Sequence, residues 1–222
     1  MEPNFLPVQR LCPPNWEAFK RRFEAYFPVC APFEFGDLTG EDLQATLKRM
    51  RGDGATGVSG WRVAELRKMP DCWLWRLCEL FERIECLGRW PSALTHGLIA
   101  PLPKDTTFFA KDIRPITVMS TVYRLWAGAR VQELLEWQES WAGSNLHSYR
   151  PERGCDEAWY SQALKIEEAL LSGEPLAGAC LDFAKAFDRL PFHLLLKMAE
   201  VAGAETGILQ ALGAMHAQLQ RR

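Results

Sequence analysis

Apolar residues recur every three to four positions along most of the chain, and that period predicts a largely helical protein. In WEAFKRRFEAYF (16–27), Trp16, Phe19, Phe23, Tyr26 and Phe27 fall at helical spacing. LTGEDLQATLKRM (38–50) has Leu43, Leu47 and Met50 as its buried stripe. Its start is marked by Thr39 as N-cap, Asp42 three residues on as in a capping box, and a Leu38–Leu43 staple. RGDGATGVSG (51–60) is a loop with four glycines, followed by a short helix from about Trp61 to Lys68. CWLWRLCELFERIECL is the next helix, with Asp71 placed to cap it and Gly88 to close it in a left-handed turn. The pattern then changes. GLIAPLPK (97–104) and RPITV (114–118) are short, apolar and β-like, and Pro101 marks an edge strand or a strand's end. A long helix opens at Ser120. HSYRPERG is a loop, and DEAWYSQALKIEEALLSG is a helix capped by Asp156 and stopped by Gly173. PLAGACLDF (175–183) reads as a buried strand, apolar on both faces until Asp182. DRLPFHLLLKMAEVAG gives a turn and a helix ending at Gly203, and helix resumes from Glu205. The order of elements is that of an α+β fold.

Composition narrows the class. The 222 residues are 48% apolar, enough for one sizeable core or for one domain and part of a second. A net charge of −2 excludes a polycation, so a nucleic-acid partner needs a local basic patch. Residues 89–130 provide one: Arg89, Lys104, Lys111, Arg114, Arg124 and Arg130 stand against Asp105 and Asp112. Residues 131–170 reverse the sign. Solvated helix faces account equally well for both runs. Seven cysteines, an odd number without a CxxC pair, argue against a disulfide framework or a zinc knuckle and for free thiols in a reducing compartment. Residues 1–14 are proline-rich and lack the basic start and apolar core of a signal peptide. No apolar run reaches membrane-spanning length. The expectation is a soluble intracellular protein.

The candidate chemistry lies in LDFAKAFDRL (181–190). A carboxylate at the end of a buried strand is held rigidly, and hard divalent cations take one or two such carboxylates plus phosphates. Asp182 is therefore either a metal ligand or an aspartate closing a turn. Asp188 precedes a helix and reads better as an N-cap. Lys185 pairs with either aspartate or with phosphate, or is solvated. Phe187 is either core or a wall beside whatever Asp182 binds. Lys104 and Arg114 flank the loop between the two β-like segments, where two cations can grip a triphosphate or simply decorate a hairpin. GDGATGVSGW lacks both GxxxxGK[ST] and GxGxxG and follows a helix, which excludes P-loop and Rossmann readings.

Four blocks in order resemble the reverse transcriptases of non-LTR (LINE-type) retrotransposons. They are GDGATGVSGWRVAELR (52–67), RWPSALTHGLIAPLPK (89–104), DIRPITVMSTVYRLWAGAR (112–130) and LDFAKAFDRLPFHLL (181–195). The last is similar to polymerase motif A. HSYRPERGCDEA resembles the family's QxGFRxGR stretch, with His147, Ser148 and Tyr149 replacing glutamine, glycine and phenylalanine. The resemblance implies an N-terminal extension (1–45), a fingers region (46–172) and the start of a palm (173–222). It implies RNA-directed DNA synthesis in which two Mg²⁺ (or Mn²⁺) ions stabilise the attacking and leaving oxygens. Asp182 and the Phe183 carbonyl would be metal ligands. Lys104, Arg114 and Phe187 would bind the dNTP, Phe187 as the gate against a 2′-OH. Arg89, Lys111, Arg124 and Arg130 would contact nucleic acid. RNA template, DNA primer and dNTPs are the implied partners, in the nucleus or cytoplasm. The family's motifs B and C are absent from these residues, so the expectation is a fragment, truncated after motif A and inactive alone. The alternatives are a non-catalytic RNA-binding module with a fingers-like fold, or a helical interaction protein with coincidental motifs.

Overall fold

The computed structural model describes residues 15–28, 30–103, 113–183 and 189–221. They form eight α-helices and a small sheet, an α+β arrangement in which helix predominates. The fold divides into two compact units, Phe33–Ser140 with Ala204–Arg222, and Met1–Pro32 with Trp141–Gly203.

The larger unit is built around α4 (Asp71–Leu87). Leu74, Leu77, Cys78, Phe81 and Ile84 form its buried stripe. They pack with Leu43 and Leu47 of α2 (Gly40–Arg49), Val63 and Leu66 of α3 (Val63–Leu66), Leu125 and Trp126 of α5 (Thr121–Trp141), and Ile208, Ala211 and Met215 of α8 (Thr206–Gln218). The start of α2 is as the sequence predicts. The Asp42 amide donates to Thr39 Oγ1 at 3.2 Å and the Thr39 amide to Asp42 Oδ2 at 2.9 Å, the reciprocal pair of a capping box. Gly88 closes α4 at φ 59°. Asp71 is not the cap of α4. Pro70 holds that position, and Asp71 is the first helical residue, where its carboxylate favours the helix dipole and accepts from Gln44 Nε2 at 2.8 Å.

Three indole or phenol rings lock the body together. Trp90 meets Trp126 edge-on at 5.1 Å and Tyr123 at 5.2 Å. Its Nε1–H donates to the Ala211 carbonyl at 2.8 Å. A buried indole keeps its apolar area and still satisfies its one donor.

The two β-like segments pair as expected. β1 (His96–Pro103) and β2 (Ile113–Val118) are antiparallel, with Leu98 opposite Val118 and Leu102 opposite Arg114. Pro101 faces Pro115. Neither has an N–H to give, and among the described residues β1 is covered on its other side at His96 and Gly97 alone, by the parallel β3 (Gln220–Arg221). Pro101 thus lies where β1 is an edge.

The smaller unit contains α1 (Trp16–Phe23), α6 (Cys155–Ser172) and α7 (Phe192–Val201). Asn15 caps α1, accepting from the Glu17 amide at 2.9 Å. Gly154, not Asp156, is the N-cap of α6; Asp156 lies in the first turn, and Gly173 ends the helix at φ 72°. Neither α1 nor α6 has a buried residue. One expectation is overturned. Residues 175–183 form no strand: the segment is exposed throughout and pairs with no other segment among the described residues. Apolar composition supplies a strand's side chains, but the strand itself requires a hydrogen-bonding neighbour.

Candidate nucleic-acid interface

The glycine-rich loop, the β1–β2 hairpin and the start of α5 come together in the larger unit. Thr121 is fully buried, and its hydroxyl lies 2.7 Å from the Trp61 carbonyl and 3.2 Å from that of Thr56. Arg124 donates to the Ala55 carbonyl and to Thr121 Oγ1. Gly57, at φ 68°, lies so close to the backbone that an added Cβ would stand 2.6 Å from the Met119 oxygen. Only glycine tolerates both conditions. The loop's carbonyls are thereby turned toward α5. Its outer side, with Arg62 and with Leu98 of β1, lines a cleft of about 470 Å³. Three of the four sequence blocks thus converge on one place. Arg62, exposed at its rim, was not singled out from the sequence, because nothing in GWRVAEL distinguishes one surface arginine from another.

The predicted cations have different fates. Arg114 is exposed on β2, opposite Leu102 near the C-terminal end of β1. Arg89 is exposed just before Trp90. Arg124 is half-buried, and burial lowers its pKa; its guanidinium braces the glycine loop. Arg130 is a correction. It is 5% exposed and not free for a nucleic acid. Its guanidinium meets Glu85 at 2.6 Å and Glu133 at 2.7 Å, and donates to the Gly36 carbonyl at 2.6 Å. Glu85 also accepts from Trp126 Nε1 at 2.6 Å. Burial alone would lower the Arg130 pKa, but the two carboxylates outweigh it and the net direction is up. Lys104, Lys111, Lys185, Phe187 and Asp188 lie outside the described residues.

Asp182 and Phe183 belong to the smaller unit. Both are exposed, in the unpaired segment that ends the described run at residue 183. Two groups there, the Asp182 carboxylate and the Phe183 carbonyl, carry the oxygen donors that Mg²⁺ prefers. Among the described residues no three His, Cys, Asp or Glu side chains gather as a metal-ligating group. In the same unit, the stretch at 147–154 is a strained turn. Tyr149 and Glu152 both adopt φ 57°, and buried Arg150 donates to the Gly143 and Leu146 carbonyls at 2.7 and 3.0 Å.

No family model matches the chain, and no curated protein matches it. Among the described residues no helix is long and apolar enough to cross a membrane.

Proposed function

We propose that the chain is the fingers, with the first motif-A carboxylate, of an RNA-directed DNA polymerase of the non-LTR type. The supporting observation is the convergence of three family-like blocks. The glycine loop is buttressed by Thr121 and Arg124 of the third block, and the hairpin carrying Arg114 rises beside the cleft they frame. A cleft edged by Arg62, with Asp53 its one acidic lining residue, beside a hairpin that carries Arg114 suits a phosphodiester backbone. Arg62 and Arg114 are the contacts we assign to it. Asp182, with one carboxylate and one neighbouring carbonyl, supplies part of a divalent-cation site, and these residues alone do not complete it.

That last feature favours a second reading for this chain by itself: it binds an RNA–DNA hybrid without extending it. The test is a pair of measurements on purified chain. Hybrid binding, followed by fluorescence anisotropy, is expected to weaken with salt and to weaken about fivefold in Arg62→Ala and Arg114→Ala. Primer extension with dNTPs and Mg²⁺ is expected to be absent. Extension abolished by Asp182→Asn would replace the incomplete-site reading with full polymerase activity. Absence of any salt-dependent hybrid binding would overturn both readings.

A further inference from the structure

Away from the glycine cleft, the outer face of α2 and α4 carries a groove that nucleic acid would avoid. Trp75 stands at its centre, 55% exposed. Its ring is seated rather than loose: a Cβ at buried Gly40 would lie 3.5 Å from the indole. On one side of the ring is a cleft of about 250 Å³ lined by Asp37, Leu38 and Glu82, and on the other one of about 200 Å³ lined by Glu41. A third, of about 370 Å³, continues from Asp37 and Leu38 past Glu136.

The charge of this groove is predominantly negative. Of its arginines, Arg130 is paired with Glu85 and Glu133, and Arg49, which donates to Thr46 Oγ1 at 3.0 Å, lines only the third cleft, away from Trp75. Neighbouring Arg76 pairs with Glu79 at 2.8 Å. Asp37, Glu41, Glu82 and Glu136 have no cationic partner among the described residues. Carboxylates alone are ordinary solvated surface. Here they surround a fixed, exposed indole, and an indole face with carboxylates nearby attracts an ammonium or guanidinium by both cation–π and Coulomb terms. Three connected clefts match an extended segment better than a compact ligand.

We propose that this α2–α4 face docks a lysine- and arginine-rich segment of a partner protein, with one cationic side chain over Trp75. The probe is a fluorescein-labelled peptide of alternating lysine and arginine, titrated with the full chain near physiological salt. Trp75→Ala is expected to weaken binding about fivefold and Trp75→Phe to retain most of it. Asp37→Lys with Glu82→Lys is expected to weaken it about tenfold or more. The same charge change on α6, Glu167→Lys with Glu168→Lys, is expected to leave it within about twofold, because those two carboxylates line none of the three clefts around Trp75. Amide exchange on the unmodified chain, expected to show peptide protection on α2 and α4, keeps the idea testable if Trp75→Ala fails to fold. Equal losses in the groove and α6 variants, protection elsewhere, or RNA occupying the same face would overturn it.

Discussion

Arg130 carries the main lesson at the scale of single residues. In the sequence it is one of six cations in a basic stretch, and a solvated arginine and a buried one look alike there. What decides its role is Glu85, 45 positions away on α4, which arrives only through the packing of α4 against α5. Removing one member of a buried ion pair leaves a bare charge behind, which costs about 3–5 kcal/mol. Arg130→Met is therefore expected to lower unfolding stability by that amount in urea melts and to leave hybrid binding unchanged. The pH dependence follows from the direction of its pKa. A cation whose folded pKa lies above its unfolded value contributes fully at every pH below that unfolded value. The deficit of the variant is thus expected to persist unchanged through neutral and mildly alkaline buffers. A deficit under about 1 kcal/mol, the surface ion-pair range, would mean that the pair is solvated after all.

Elements were legible where their signals are local. The capping box of α2, the amphipathic stripe of α4 and the left-handed stop at Gly88 lie within the helices they define, so the sequence predicts them closely. Strands differ, because half of a strand's definition belongs to its neighbour. The β1–β2 pair could be expected since both members are adjacent in the chain. The apolar run at 175–183 satisfied every local criterion yet has no partner among the described residues, while two-residue β3 carries no local signal. The glycine loop lies between these cases: its irregularity was plain, but its purpose was not. Gly57 and Gly60 separate the two contributions. Both have φ near 70°, but an added Cβ meets the Met119 backbone at Gly57 and nothing within 4 Å at Gly60. Gly60→Ala is expected to cost only the conformational strain, about 1 kcal/mol. Gly57→Ala is expected to cost about 2–3 kcal/mol and to weaken hybrid binding, since the cleft wall must move. Equal losses in chemical denaturation would show that the loop is not clamped to α5.

For the whole molecule, the contrast between the two units matters most. The larger buries a continuous core from Leu43 to Met215, with a ring cluster at its centre. The smaller leaves Trp159, Tyr160, Leu170 and Leu171 of α6 exposed, along with Leu181 and Phe183. The sequence announced the apolar residues of both units equally, because hydrophobicity records what a side chain prefers and not whether anything covers it. Local stability should follow coverage. Chymotrypsin offers a direct comparison, since suitable aromatic and leucine sites are exposed both on α6 and in the segment 174–183. Those on α6 are held in helical hydrogen bonds, and cleavage requires an extended backbone in the protease cleft. Leu181 and Phe183 lie outside any helix or strand. The first cut in limited proteolysis is therefore expected within 174–183, with fragments from Phe33–Ser140 persisting longest in mass spectra. A first cut within α4 or α5 would mean that the core described for the larger unit is not the most stable part of the chain.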